Sequence, residues 1–161
     1  MEAGVDSIEH GNYIADDDMR AMIRKGIWYV PHLYVGEYVA QGRGGFWPAM
    51  IKVHEETFRK ALKMGVKIAF GTDIGGFDWN INPAIEFGVM TRLGMTPMQA
   101  IRSATARAAE LPRRMQKDVG TLEAGKYADV VAVPGDPLKD VGVLSKVDFV
   151  MKGGSVVRTP K

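Results

Sequence analysis

Apolar and polar positions along the chain follow two styles. Over residues 1–110, short apolar runs are separated by segments of helical periodicity. Residues 5–9 read as a brief strand that ends at His10-Gly11. Asp16, Asp17 and Asp18 then place negative charge at a helix start, where the helix dipole favours it. Met19, Met22 and Ile23 supply the i, i+3, i+4 stripe, and Lys25-Gly26 closes the helix. Residues 27–30 (Ile-Trp-Tyr-Val) form a second expected strand, stopped by Pro31. A loop rich in glycine and aromatics is expected around residues 41–47. Residues 48–64 predict the longest helix, with Met50, His54, Phe58, Ala61 and Leu62 on one face and Gly65 as its stop. Residues 66–71 predict a third strand. Strands joined by helical crossovers imply a parallel sheet with helices outside it. Asn82-Pro83 reads as a cap and first-turn pair, and Thr96-Pro97-Met98-Gln99 as a capping box.

Near Gly120 the style changes. Residues 120–126 are turn-rich, residues 128–133 read as a strand closed by Pro134-Gly135-Asp136-Pro137, and residues 147–157 read as a hairpin around Gly153-Gly154. The expected organisation is therefore α/β over residues 1–119 and all-β over residues 120–161.

Composition narrows the classes. At 161 residues the chain is long enough for one sizeable core. It is too short for a complete (β/α)₈ barrel of about 250 residues. A hydrophobic content of 46% excludes disorder as the main state. Twenty-one basic and 19 acidic side chains give a net charge of +2, which is no electrostatic footprint for nucleic acid. There is no cysteine, so disulfides, thiolate catalysis and cysteine-ligated zinc are excluded. No apolar run approaches the roughly 18 residues of a membrane span, and the first residues lack the basic and apolar regions of a signal peptide. The expectation is a cytoplasmic protein with no membrane or nucleic-acid partner.

Three histidines and one aspartate carry the candidate chemistry. His10 follows the first strand, His32 the second, in Val30-Pro31-His32, and Asp73 the third, in Gly71-Thr72-Asp73. In a parallel α/β barrel the C-terminal strand ends form the active face, so these three would converge there. Histidine and carboxylate are natural ligands for zinc or a similar metal. An aspartate beside a metal-bound water also acts as a general base. Plainer roles fit the same residues: a histidine after a strand as a loop residue, and an aspartate after Gly-Thr as a turn former. His54 on an apolar stripe reads as a hydrogen-bonded core residue, the methionines as core filling, and Arg113-Arg114 beside Pro112 as a solvated turn.

Four stretches together change that weighting. They are Gly4-Val5-Asp6-Ser7-Ile8-Glu9-His10-Gly11, Ala61 through Gly65-Val66-Lys67-Ile68-Ala69-Phe70-Gly71-Thr72-Asp73, Met95-Thr96-Pro97-Met98-Gln99-Ala100-Ile101-Arg102-Ser103-Ala104-Thr105, and Gly120-Thr121-Leu122-Glu123-Ala124-Gly125-Lys126-Tyr127-Ala128-Asp129-Val130-Val131 followed by Asp136-Pro137-Leu138. In this order they resemble the C-terminal part of metal-dependent amidohydrolases, nearest the imidazolonepropionase-like and Xaa-Pro dipeptidase branch. The resemblance implies an α/β fold: the C-terminal portion of a (β/α)₈ TIM barrel, about strands six to eight, plus a partial β-sandwich segment. It implies His10 and Asp73 as metal ligands and Asp73 as the catalytic residue. The cofactor it implies is a divalent metal, zinc first, once the site is completed; no other cofactor is expected. The family's His-x-His pair, bridging lysine and strand-five histidine have no counterpart here and would lie upstream. His32 and Tyr34 are left as accessory or substrate-contacting candidates, and Phe77, Trp79 and Tyr34 as an apolar substrate wall. Gly75-Gly76 is expected to keep the loop after Asp73 open.

The implied function is hydrolysis of an amide or peptide C–N bond, of dipeptidase or cyclic-amidase type, by a fragment that is incomplete alone. The alternatives are a non-catalytic half-barrel module for assembly or binding, and a truncated product without independent function. Strands six to eight alone would leave sheet edges open and apolar surface bare. The expected partners are therefore a small amide or dipeptide substrate, and either further copies of the chain or a complementing N-terminal chain.

Overall fold

A computed structural model describes residues 3–111, 115 and 117–160. The turn expected at Pro112-Arg113-Arg114 lies outside the described residues.

Local sequence signals build the first α/β unit. Strand β1 (Ser7–Glu9) leads to helix α1 (Asp16–Lys25), whose first turn holds the three aspartates and whose last holds Arg24 and Lys25. Gly26 terminates α1 at φ 68°, and its N–H returns to the Ile23 and Met22 carbonyls. That left-handed stop is the usual glycine C-terminus of a helix. Strand β2 (Trp28–Val30) then pairs in parallel with β1, Ile8 opposite Tyr29.

Helices α2 (Leu33–Gly42) and α3 (Trp47–Met64) connect β2 to strand β3 (Lys67–Ile68), again parallel, in the order β1-β2-β3. The pairing runs on past β3, since the Ala69 N–H donates to the Tyr29 carbonyl. The extended loop expected around residues 41–47 is therefore shorter, because α2 runs to Gly42. Gly36, Val35 and Val39 are weak helix formers, so α2 has no strong local signature. Its N-terminus is held from afar instead. The Glu86 carboxylate accepts from the Leu33 N–H at 2.9 Å and the Tyr34 N–H at 2.7 Å.

Helices α4 (Ile85–Arg92), α5 (Pro97–Ala104) and α6 (Ala106–Glu110) follow. The capping box at Thr96 and Gln99 forms as expected. Asn82 caps the turn just before α4, its side chain accepting from the Ala84 N–H at 3.0 Å. A second sheet joins β4 (Val130–Ala132), β5 (Phe149–Lys152) and β6 (Ser155–Arg158), all antiparallel, with a 3₁₀ turn at Val141–Ser145 before β5. Gly153 and Gly154, at φ 54° and 82°, form the β5–β6 turn, a pair of left-handed residues suited to a two-residue hairpin.

The fold is thus mixed α/β, with two small sheets. Alternation along β2 splits its side chains between two faces. Tyr29 joins Met19, Met22, Phe58, Ala61 and Met90 under the helices, while Trp28 and Val30 cluster with Ala69 on the opposite face. All three β2 residues are buried, as a strand between two layers requires. Among the described residues, no helix is long and apolar enough to cross a membrane.

Candidate functional site

Three residues leave the ends of the parallel strands in one conformation. His10, His32 and Asp73 have φ of 59°, 52° and 52°, and they are the non-glycine residues with positive φ among those described. Histidine and aspartate tolerate this left-handed region better than most residues, but it still stores strain. His10 follows β1 directly, His32 lies two residues past β2, and Asp73 five residues past β3. The His10 N–H stays bonded to the Val30 carbonyl at 3.0 Å, so the bend begins on the ladder itself.

The bends bring the side chains together. His10 Nε2 lies 3.6 Å from Asp73 Oδ2, and the His10 and His32 ring centroids are 4.7 Å apart. The His32 Nε2–H donates to Glu9 Oε2 at 2.8 Å. The opposite ring nitrogen, His32 Nδ1, is buried without a hydrogen-bond partner among the described residues.

Two glycines make the space. A Cβ on Gly71 would stand 2.5 Å from Val30 Cγ1 and 2.6 Å from His32 Cε1. A Cβ on Gly76 would stand 2.7 Å from Val35 Cγ2 and 3.0 Å from Asp73 Oδ2. Gly76 is therefore a close-packing residue, and its N–H closes a turn on the Asp73 carbonyl at 2.9 Å. The loop after Asp73 is pinned against α2 rather than held open.

These residues line one end of a cavity of about 400 Å³, which continues between α2 and α3 along Val35, Val39, Met50, Ile51 and Trp47. Tyr34, Phe77 and Trp79, the aromatics expected to form an apolar wall, do not line this cavity. Phe77 is buried and meets the Tyr34 ring edge-on at 5.1 Å, and Trp79 is exposed.

His54 also reaches it, from the buried stripe of α3. Its Nε2 lies 3.1 Å from the Tyr29 hydroxyl. Burial pulls the imidazole down to about 4, partly offset by a bond to the His10 backbone, so His54 is neutral near pH 7. Burial pushes the Tyr29 phenol upward. Burial likewise raises Glu86 to about 7, against the pull of its two N–H donors.

His10 and Asp73 pass a simple test as metal ligands. Two donors about 2.0–2.2 Å from one tetrahedral ion stand about 3.4 Å apart, close to the 3.6 Å observed. His32 differs, since its Nε2 is committed to Glu9. Among the described residues, no group of three or more histidine, aspartate or glutamate side chains is arranged to hold a metal ion.

Comparison with known proteins places this geometry. Residues 1–157 match the Amidohydrolase family. The chain belongs to that family. As an amidohydrolase it is 34% identical to ochratoxinase of Aspergillus niger, covering 99% of this chain and 35% of that protein. It is 28% identical to imidazolonepropionase of Acinetobacter baumannii, covering 78% and 29% respectively. Among solved structures, a Xaa-Pro dipeptidase with methionine in its active site is 41% identical, with a TM-score of 0.88 over 98% of this chain and 41% of that one. The amidohydrolase chain thus spans well under half the length of these relatives.

Sequence reasoning found the three strand-end residues. It missed the αL bends, Glu86 and the cavity wall. The pairs His10-Gly11 and Gly71-Thr72-Asp73 were the available signals for the bends. Glu86 gave none, because its two partners lie 53 and 52 residues away.

Proposed function

We propose that this chain carries part of the catalytic centre of a metal-dependent amidohydrolase that cleaves an amide or peptide C–N bond. The observation that supports this reading is the meeting of His10, His32 and Asp73 beyond the ends of parallel strands. The names of the relatives point the same way: a Xaa-Pro dipeptidase, an imidazolonepropionase, and a prolidase complexed with N-methylphosphonate-L-proline. In this reading β1, β2 and β3 stand for barrel strands six to eight within residues 1–119, and residues 120–161 form the β segment of a composite sandwich.

A divalent metal, zinc first among candidates, would supply a polarised carbonyl and an activated water. His10 and Asp73 would hold it. The Asp73 carboxylate takes the proton from the attacking water and hands it to the leaving amine, as a general base and then a general acid. Glu9 holds the His32 ring through Nε2 and so fixes the wall beside Asp73. Neutral His54 adds no charge of its own to the cavity beside Asp73. The remaining ligands would come from outside the described residues.

Asp73→Asn is the test. It keeps the size and the turn but removes the base. In the protein that carries the remaining ligands, amide hydrolysis should fall at least about 100-fold while urea unfolding of this chain stays unchanged. A variant that keeps its hydrolysis rate overturns the reading.

The exposed valines of the second sheet favour a second role alongside this one, in assembly. Val131 and Val157 are 61% and 68% exposed. A second copy or a complementing chain would cover them.

A further inference from the structure

An α-helix leaves its first N–H groups without a partner inside the helix, and the residue just before it usually supplies a side-chain acceptor from an extended backbone. At α2 that residue is His32. Its backbone is left-handed, with φ 52° and ψ 58°, and its side chain makes no capping bond. The ring is engaged with Glu9 instead, through Nε2 at 2.8 Å. Glu86, in the first turn of α4, takes over the capping. One of its carboxylate oxygens accepts from the Leu33 N–H at 2.9 Å and the other from the Tyr34 N–H at 2.7 Å. His32 is thereby released from its own helix and can turn its ring to the site.

A buried carboxylate is a costly way to cap a helix. Glu86 is 0% exposed, and it forms no ion pair among the described residues. Burial of its charge outweighs the pull of the two N–H donors. A serine or aspartate at position 32 would be the ordinary local cap, but it would remove the ring that stands 4.7 Å from that of His10.

The turn that Glu86 holds also touches the loop after Asp73. Val35 lies in that turn, and a Cβ on Gly76 would stand 2.7 Å from Val35 Cγ2 and 3.0 Å from Asp73 Oδ2. Phe77 of the same loop meets Tyr34 edge-on at 5.1 Å. Leu33, Tyr34 and Val35 are therefore gripped between Glu86 on one side and the Asp73 loop on the other. A turn so placed cannot shift without moving His32, Asp73 or both.

We propose that Glu86 is a positioning residue: by holding the first turn of α2 it sets His32 against Glu9 and the Asp73 loop against Val35, the arrangement in which the amide bond is cleaved. It touches no reacting atom. This inference rests on the hydrolase reading above, which places the reaction at His10 and Asp73.

The His32 ring reports the effect directly. A neutral imidazole held by one bond keeps one tautomer, and its two ring nitrogens then have widely separated NMR shifts. The measurement is made on the full chain at pH 8, above the value of about 7 to which burial raises Glu86. Wild type should show His32 fixed with its proton on Nε2. Glu86→Gln keeps the size but sets a donor against one of the two N–H groups. It should narrow the His32 separation by at least about a third, and Glu86→Asp, one carbon short, should narrow it less. Thr96→Ala removes the local cap of α5 and should leave His32 as in wild type. A His32 pattern in Glu86→Gln that matches Thr96→Ala overturns the proposal. If Glu86→Gln does not fold, Glu86→Asp takes its place, and the same match overturns the proposal.

Hydrolysis of Met-Pro and N-acetyl-Met, in the protein that carries the remaining ligands, separates the two readings. Glu86→Gln should lower kcat at least about tenfold and leave KM within about twofold, with Glu86→Asp recovering part of the loss and Thr96→Ala changing neither. Asp73-dependent cleavage that Glu86→Gln leaves intact sinks the positioning role alone. A His32 response to Glu86→Gln in a protein whose wild type cleaves neither compound upholds the hold of Glu86 on His32 and sinks the hydrolase reading.

Discussion

The parallel sheet and the second sheet are each three strands, yet they are stabilised in different ways. Among the described residues, every buried one lies between Met19 and Ala109, packed around β1 to β3 and the helices. None of the described residues from 115 onward is buried. In β2 all three residues are enclosed, and in β6 all four are exposed. A cavity of about 950 Å³ separates the second sheet from α4, α5 and α6, lined by Phe70, Phe87, Ile101, Leu122, Val130 and Val147 among others. Hydrogen-bonded pairing without burial gives little net stability, since water offers the same bonds to the unfolded chain. The first region therefore carries the stability and the strained site. The second, being largely exposed, adds little to either.

The difference is broken most directly by truncating the core. Phe58 is fully buried on α3 and belongs to the cluster with Tyr29, Met19 and Met22. Phe58→Ala should lower unfolding free energy by about 3–5 kcal/mol, as removal of a buried ring does. Urea unfolding followed by circular dichroism measures it. A loss under about 1 kcal/mol would mean that the helices do not bury this face as described.

Glu86 sharpens the comparison through pH. Its folded value is raised from 4.5 to about 7, chiefly by burial. Between those values the folded state holds a proton that the unfolded state has released. Its contribution to stability therefore falls as pH rises from about 4.5 to 7, by on the order of a few kcal/mol. His54 runs the other way. Its folded value is lowered from 6.5 to about 4, so its contribution rises with pH between those two. The wild-type profile is flattened by the pair. The deficit of Glu86→Gln relative to wild type isolates one of them, and it should shrink as pH rises from 4.5 to 7. A deficit independent of pH would show that Glu86 stays ionised, held by the α2 N-terminus.

Gly71 tests how tightly the site is built on the core. Gly71→Ala puts a methyl against Val30 and His32 at distances no real Cβ adopts. Overpacking of this kind costs about 1–3 kcal/mol. The His32 ring should move, and its imidazole signals in a histidine NMR spectrum should shift while those of His54 hold. An unchanged His32 spectrum would mean that the ring is not pinned by this glycine.

Legibility in the sequence followed the range of the interactions. Helix α1 was readable because its stop at Gly26 and its acidic first turn are local. The capping box of α5 was readable for the same reason, within four residues. The strand-end placement of His10, His32 and Asp73 was readable because apolar runs end just before them. Helix α2 was not, since its N-terminus is capped by Glu86 from beyond the next strand. The cavity wall was misassigned because aromatic type was taken as a guide, and Phe77 packs on Tyr34 instead. The short β3 also fell below its expected length: the Ala69 N–H still bonds the Tyr29 carbonyl, but the Phe70 N–H leaves the ladder for the Ser103 carbonyl.

The smallest expected effect comes from the second sheet. Val157 on β6 is 68% exposed, so truncating it removes little buried surface. Val157→Ala should change unfolding free energy by no more than about 0.5 kcal/mol in dilute solution, as surface changes usually do. The same measurement at higher protein concentration gives the prediction its edge. If another copy covers β6, stability of the wild type rises with concentration by mass action, and the variant lags behind it. Light scattering on the same samples would then show a larger species that Val157→Ala weakens. If melting is independent of concentration and the variant is indistinguishable from wild type throughout, no second copy of this chain covers β6, and the assembly role loses its support from this face.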